Sequence, residues 1–156
     1  MNTSLDDMSW MRRAIELSKQ CPPSTSAYNV GAIIVSADGQ KIATGYSRES
    51  DPHEHAEESA LGKVSPGDPR LDGATLYSSL EPCSERRSRH QTCVHLILKT
   101  GISRVVIAWR EPPHFVPDAQ GVELLVNAGI IVAELPELEG AVKAVNDHLP
   151  AQLARD

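Results

Sequence analysis

The chain has 156 residues, of which 40% are hydrophobic, a length and composition that suit one globular domain covering residues 1–156. Fifteen Lys and Arg against twenty-one Asp and Glu give a formal charge of −6, which argues against a general nucleic-acid or anionic-membrane surface. No apolar run is long enough to cross a bilayer and the first residues lack a signal peptide's features, so we expect a cytoplasmic protein.

Hydrophobic patterning predicts five helices and five strands. The predicted helices cover residues 8–17, 55–63, 94–100, 122–128 and 138–149. The predicted strands cover residues 30–35, 42–46, 74–80, 104–109 and 130–133. The turn Ala37-Asp38-Gly39 makes the first two strands an antiparallel pair. Helices that alternate with buried strands after this hairpin imply an α/β fold, a three-layer α/β/α sandwich around a mixed five-stranded sheet.

Three cysteines are an odd number for a disulfide framework, and in a reducing compartment free thiols serve better as metal ligands or buried apolar groups. We interpret Cys83 and Cys93 as ligands and Cys21, beside two prolines, as a core residue. Together with His55 they supply one imidazole and two thiols, which predicts one catalytic Zn²⁺ per chain with its fourth position left to water.

Glu57 is the predicted catalytic residue. On a mature helix His55 and Glu57 would face different sides, so the pair makes sense only in a first helical turn. There the imidazole can reach the metal while the carboxylate reaches the metal's water. Glu57 would take a proton from that water and deliver protons to a ring nitrogen and a departing amine.

Pro82 suits the first position of a helix, which would place Cys83 where the helix dipole favours a thiolate. Cys93 follows after nine intervening residues, just before an apolar helix. His53 is a rival metal ligand, but no carboxylate lies two residues after it, so we interpret it as a loop or pocket-wall residue. The spacing of His-x-Glu and Pro-Cys matches the recorded signature of zinc deaminases.

With these motifs the chain resembles the cytidine-deaminase-like superfamily, and within it the pyrimidine deaminase domain of riboflavin biosynthesis. The resemblance rests on a small set of segments: residues 30–35, 55–57, 80–84, 101–108, 127–130 and 145–146. It implies hydrolytic removal of the exocyclic amine of an amino-pyrimidine. It also implies that backbone groups near Leu80 and Glu81 contact the base, and that chains pair into a homodimer or homotetramer.

Three segments depart from the riboflavin-branch pattern, and one of them is residues 85–92 between the cysteines, which is one residue longer than in that branch. Ser26-Ala27-Tyr28-Asn29 is more similar to the entry of cytidine deaminases, and Ser47 stands where the riboflavin branch often has histidine. A cytidine or deoxycytidylate deaminase is therefore an alternative to a deaminase of the riboflavin-pathway diaminopyrimidine. A non-catalytic zinc subunit, with His53 or His90 as a fourth ligand, is a third hypothesis.

A basic cluster between the two cysteines gives a clue to the substrate. Arg86, Arg87, Arg89 and His90 lie in an otherwise acidic chain, and guanidinium groups match phosphate well. This favours a phosphorylated small-molecule pyrimidine, with Arg48 joining from the other rim, over a polynucleotide. Asn29 and Ser47 are predicted to face the pocket from the strand ends.

Overall fold

In the computed structural model, the described residues are 4–84, 91–110 and 120–149. The helices are α1 (Leu5–Ser18), α2 (Ala56–Gly62), α3 (Cys93–Leu98), α4 (Gly121–Asn127) and α5 (Glu139–Val145). The strands are β1 (Gly31–Val35), β2 (Lys41–Tyr46), β3 (Thr75–Leu80), β4 (Arg104–Trp109) and β5 (Ile131–Glu134). Two short 3₁₀ turns lie at Pro69–Leu71 and Pro136–Leu138.

The strands form one sheet in the order β2-β1-β3-β4-β5. Strand β1 is antiparallel to both β2 and β3, whereas β3, β4 and β5 run parallel to one another. The predicted mixed five-stranded sheet and the predicted hairpin are therefore confirmed. In the parallel half, β4 is buried on both faces along most of its length, which explains why its sequence reads as a continuous apolar run.

Two apolar clusters pack on opposite faces of the sheet. Along β1, Ala32 and Ile34 join the cluster that contains residues of α2, α3 and α4. Ile33 and Val35 join the cluster that contains residues of α1 and α5. This alternation follows the two-residue period of a strand and confirms the three-layer α/β/α sandwich.

The helix bounds differ from the prediction mainly at the C-terminus. The last helix ends at Val145 rather than 149, because the chain turns at residues 146–148, and the turn Pro136–Leu138 precedes it. The predicted proline-rich loop after β4 lies outside the described residues. None of the helices in the described parts of the chain is long and apolar enough to span a bilayer.

A buried polar cluster ties α1 to the sheet. The carboxylate of Asp7 accepts a hydrogen bond from the Tyr77 hydroxyl at 2.6 Å and two from the Arg104 guanidinium at 2.7 and 2.8 Å. Burial by itself would raise the pKa of Asp7, but the hydrogen bonds from Arg104 and Tyr77 lower this pKa to about 2. Burial and the bond to Asp7 raise the pKa of Tyr77. The cluster therefore holds a charged carboxylate inside the fold.

Candidate metal centre and active site

Three buried donor groups converge at one edge of the sheet. His55 is the N-cap residue of α2, Cys83 follows the end of β3, and Cys93 is the first residue of α3. All three side chains are almost fully buried. Because the ends of a strand and two helices meet here, ligands far apart in sequence come together without a local motif.

The distances between these donors suit a tetrahedral metal ion. Nδ1 of His55 lies 3.5 Å from Sγ of Cys83 and 3.4 Å from Sγ of Cys93. Zinc bonds of about 2.3 Å to sulfur and about 2.0 Å to nitrogen at tetrahedral angles place nitrogen and sulfur about 3.5 Å apart. The donor types and their spacing both fit zinc.

Within residues 4–84, 91–110 and 120–149, several His, Cys, Asp or Glu side chains come close enough together to bind one metal ion at only one place. That place is formed by His55, Cys83 and Cys93. The rival His53 is exposed and lies outside this group. His90, the other residue considered as a fourth ligand, lies outside the described residues.

The prediction that a helix starts at Pro82 is wrong, because residues 81–84 contain no helix. Instead, the segment contacts the start of α3. The backbone N–H of Cys93 donates to Sγ of Cys83 at 3.3 Å, and the N–H of Val94 donates to the Cys83 carbonyl at 3.2 Å. A backbone donor at a helix start favours the thiolate form, so α3 now supplies the effect expected from a helix at Pro82.

Glu57 lies in the first turn of α2, directly after the N-cap His55 and Ala56, as the sequence predicts. Its side chain is fully buried. The Ser78 hydroxyl lies 3.3 Å from Oε2 of Glu57 and 2.8 Å from the Leu80 carbonyl. Because a hydroxyl has one proton, Ser78 donates to one of these oxygens at a time. Ser78 is not among the residues predicted for the site, although a serine in a predicted buried strand is a polar exception of the kind that can signal a role.

A small pocket opens beside His55. Its lining residues are Ala27, Tyr28, Ser47, Arg48, Pro52, His53, Glu54 and His55. The structure therefore places Ser47, Arg48 and His53 at the pocket, next to a metal-site residue. Ser47 is buried, and its hydroxyl accepts a hydrogen bond from the Val30 N–H at 3.0 Å.

The other predicted substrate contacts lie in different surroundings. Asn29 adjoins the pocket wall, and its Oδ1 accepts a hydrogen bond from Arg48. Leu80 is fully buried, and its carbonyl accepts from Ser78. The Glu81 N–H donates to the Trp109 carbonyl, and its carboxylate accepts from the backbone at the start of α4. The basic residues Arg86, Arg89 and His90 lie outside the described residues.

A buried His-Cys-Cys donor set beside a glutamate, at the edge of an α/β/α sandwich, defines the class of zinc-site deaminase folds. The profile of the family described as "Cytidine and deoxycytidylate deaminase zinc-binding region" matches residues 4–109. The chain belongs to this family, and the superfamily resemblance found in the sequence is confirmed.

Two relatives illustrate the similarity. The chain is 45% identical over 127 residues to diaminohydroxyphosphoribosylamino-pyrimidine deaminase of Schizosaccharomyces pombe, a match covering 80% of this chain and 31% of that protein. It is 38% identical over 127 residues to riboflavin biosynthesis protein RibD of Aquifex aeolicus, covering 81% and 34%. The chain thus spans about a third of the length of these curated relatives.

Solved structures show the same fold. A diaminohydroxyphosphoribosylaminopyrimidine deaminase/5-amino-6-(5-phosphoribosylamino)uracil reductase from Thermotoga maritima aligns with a TM-score of 0.75 and 36% identity, covering 90% of this chain and 39% of that one. A C-terminal deletion mutant of the Rib2 deaminase from Aspergillus oryzae aligns with a TM-score of 0.77 and 25% identity, covering 89% of each chain.

Proposed function

We propose that this chain is a zinc-dependent hydrolytic deaminase of an amino-pyrimidine, and that residues 1–156 act as a single deaminase domain. The observation that carries the proposal is the placement of Glu57 in the first turn of α2, whose N-cap His55 faces Cys83 and Cys93. This arrangement joins a metal site to a buried carboxylate on one short stretch of backbone. Hydrolysis at a carbon bearing an amine requires an activated water molecule and a group that moves its protons, and the metal site and the carboxylate would supply these.

His55, Cys83 and Cys93 would hold one zinc ion per chain. When bound, zinc acts as a Lewis acid that acidifies a water molecule at its open position. Structural zinc sites normally fill all four positions with protein ligands, and the described residues bring three together. The buried carboxylate of Glu57, in the first turn of the helix that His55 caps, supports a catalytic site over the alternative of a non-catalytic zinc subunit.

Glu57 would move the protons of the reaction. Hydrolysis forms a carbon–oxygen bond, breaks the carbon–nitrogen bond to the exocyclic amine and releases ammonia. A carboxylate can accept one proton from the attacking water and pass it to the ring nitrogen, which keeps it. It can then move the remaining proton of the added hydroxyl to the amine, which leaves as ammonia. Ser78 lies within 3.3 Å of Glu57 and would help to orient the carboxylate during these transfers.

The substrate proposed is a phosphorylated diaminopyrimidine. Support comes from the name of the Schizosaccharomyces pombe relative at 45% identity, and from the sequence-predicted phosphate contacts of Arg86, Arg89 and His90. Direct contacts of Asn29, Ser47, Arg48, Leu80 and Glu81 with the base or ribose stay predictions. So do the cytoplasmic location and the homodimeric or homotetrameric assembly.

Glu57→Gln tests the mechanism because it keeps the shape of the side chain and removes its ability to take a proton. We expect ammonia release to fall by about 10²–10⁴-fold, the usual contribution of a positioned acid or base. Zinc content and far-ultraviolet circular dichroism should match the parent. Glu137→Gln, at an exposed position in the turn before α5, is the matched control. Full activity of Glu57→Gln would refute the mechanism.

A substrate panel separates the two enzymatic hypotheses. Ammonia release is measured with the phosphoribosyl diaminopyrimidine, cytidine, CMP and dCMP at equal concentrations. The proposal expects the largest kcat/KM for the diaminopyrimidine. A larger value for a cytosine compound would assign the chain to the cytidine and deoxycytidylate branch, which the family description also covers.

A further inference from the structure

We infer that Asn146, Asn29 and Arg48 position the wall of the pocket beside His55, so that the chain after α5 controls how tightly the pyrimidine is held. The identity of the ligand rests on the proposed function. The hydrogen-bond network itself does not.

Arg48 connects the two sides of the pocket. Its guanidinium donates to the Tyr28 carbonyl at 3.1 Å, to the Pro22 carbonyl at 2.7 Å and to Oδ1 of Asn29 at 2.6 Å. Its backbone N–H donates to the carbonyl of Glu54 at 2.8 Å, one residue before His55. One residue therefore fixes both the segment that carries Tyr28 and the loop that leads to the metal site.

The backbone of Arg48 is strained, which indicates that these contacts define its conformation. Its φ angle is 60°, in the left-handed region that a long side chain seldom adopts. Such conformations persist where the surrounding structure over-determines them, and they cluster at functional sites. Arg48 is the one non-glycine residue with positive φ in the described parts of the chain.

Asn146 holds the same wall from the other side. Its side chain is buried, and its Oδ1 accepts from the Asn29 N–H at 2.6 Å. Its Nδ2 donates to the Asn29 carbonyl at 3.2 Å and to the Val142 carbonyl at 3.0 Å. One amide side chain thus pairs both backbone groups of Asn29, as a neighbouring strand would. Asn29 is held between Asn146 and Arg48.

The hydrogen-bond network holds residues at the pocket wall rather than the groups proposed to bind zinc or to move protons. Ala27 and Tyr28 line the pocket directly before Asn29, whereas Glu57 lies on α2. The Tyr28 ring packs edge-on against Trp109, with ring centroids 5.7 Å apart. A loosened wall should therefore weaken substrate binding without slowing the chemical step, and it should change the surroundings of Trp109.

Asn146→Asp is the sharpest variant, because it keeps the size of the side chain and replaces the Nδ2 donor with an oxygen. Losing one or both of the hydrogen bonds that Nδ2 donates predicts a rise in KM of about tenfold. We expect kcat to stay within about threefold of the parent, since the groups that move protons are untouched. Asn127→Asp, the same change at an exposed position that ends α4, should leave both constants unchanged.

Two variants of Arg48 separate positioning from direct contact with the substrate. Arg48→Gly relieves the left-handed backbone and removes the guanidinium, so the fold should be kept while KM rises about tenfold. Arg48→Lys keeps the positive charge, but one ammonium cannot reproduce the guanidinium fork. Both variants should raise KM. A parental KM for Arg48→Lys would mean that charge acts on the substrate directly, and would overturn the inference.

Two readouts need no turnover and use a Trp10→Phe background, which leaves Trp109 as the only tryptophan. Asn146→Ala, which removes the Oδ1 acceptor that Asn146→Asp would keep, and Arg48→Gly should speed hydrogen exchange at the Asn29 amide and shift Trp109 emission. An unmodified chain that deaminates no pyrimidine would refute the proposed function, and these two readouts would then decide the inference alone. Parental exchange in both variants, or faster exchange with an unchanged KM, would overturn it.

Discussion

The backbone N–H of Cys93 donates a hydrogen bond to Sγ of Cys83 across 3.3 Å, so one residue supplies a sulfur and also holds the other sulfur. The nitrogen of His55 lies within 3.5 Å of both sulfurs. Three groups from separate elements are therefore arranged by the start of α3 and the N-cap of α2. Their close packing makes the site sensitive to the loss of any one donor.

Cys93→Ser should abolish stoichiometric zinc binding, because an alcohol is a far poorer zinc ligand than a thiolate. The backbone N–H at position 93 is kept, so the bond to Cys83 can still form and the fold should survive. Zinc content after gel filtration, measured by mass spectrometry, tests this expectation. Cys21→Ser is the control, since Cys21 contacts the Val30 carbonyl and is not part of the donor group. A full zinc complement in Cys93→Ser would contradict the site.

Sequence patterns were sufficient to predict the sheet, the two helix layers and the three donor residues of the metal site. The strands and helices depend on residue spacing within one segment, and the donor set was predicted from the combination of His-x-Glu with Pro-Cys and a second cysteine. The last helix and the segment at Pro82 were less accurate, because the ends of elements depend on tertiary contacts. Pro82 is compatible with a helix start, yet Cys83 instead pairs with α3.

Contacts between distant residues could not be predicted in this way. Asn146 and Asn29 are 117 positions apart, and neither position carries a spacing that reveals the pairing. Ser78 lies on β3 and contacts Glu57 on helix α2, 21 positions away. Both asparagines and the serine are ordinary polar residues in sequence, and only the folded backbone shows which groups they meet.

Gly45 is required for the close approach of α2 to β2. A Cβ at Gly45 would lie 2.5 Å from the Ala56 carbonyl oxygen and 2.5 Å from the Ala60 nitrogen. Backbone atoms cannot move aside as a flexible side chain can, so Gly45→Ala must push α2 away from the sheet. We expect the free energy of unfolding to fall by about 2 kcal/mol or more. Zinc affinity should also fall, because α2 carries His55 at its N-cap.

Urea unfolding and zinc titration of the refolded chain measure these two effects. Gly62→Ala is the matched control, since it lies at the end of the same helix and a Cβ there meets no described atom within 4 Å. Replacing a helical glycine with alanine should hold stability constant or raise it by up to about 1 kcal/mol. Equal stability of Gly45→Ala and the parent would mean that α2 does not pack on β2 as described.

Because of Asp7, the free energy of unfolding should fall at acidic pH. Hydrogen bonds from Arg104 and Tyr77 outweigh burial and lower the pKa of Asp7 from 3.8 to about 2. A lowered pKa in the folded state means that the stabilisation is fully present above the unfolded value and is lost as pH falls. The full contribution is about 2 kcal/mol, and about 1 kcal/mol of it should be lost between pH 6 and pH 3.

Asp7→Asn removes this contribution, so the difference in unfolding free energy between parent and variant should shrink by about 1 kcal/mol from pH 6 to pH 3. Urea unfolding followed by circular dichroism at each pH measures that difference. Asp6→Asn is the control, because Asp6 is exposed in the same turn and takes no part in the bonds to Arg104 and Tyr77. Tyr77→Phe should cost about 1 kcal/mol by removing one donor to the carboxylate. A difference for Asp7→Asn that is constant across this pH range would show that Arg104 and Tyr77 do not hold Asp7 in its charged form.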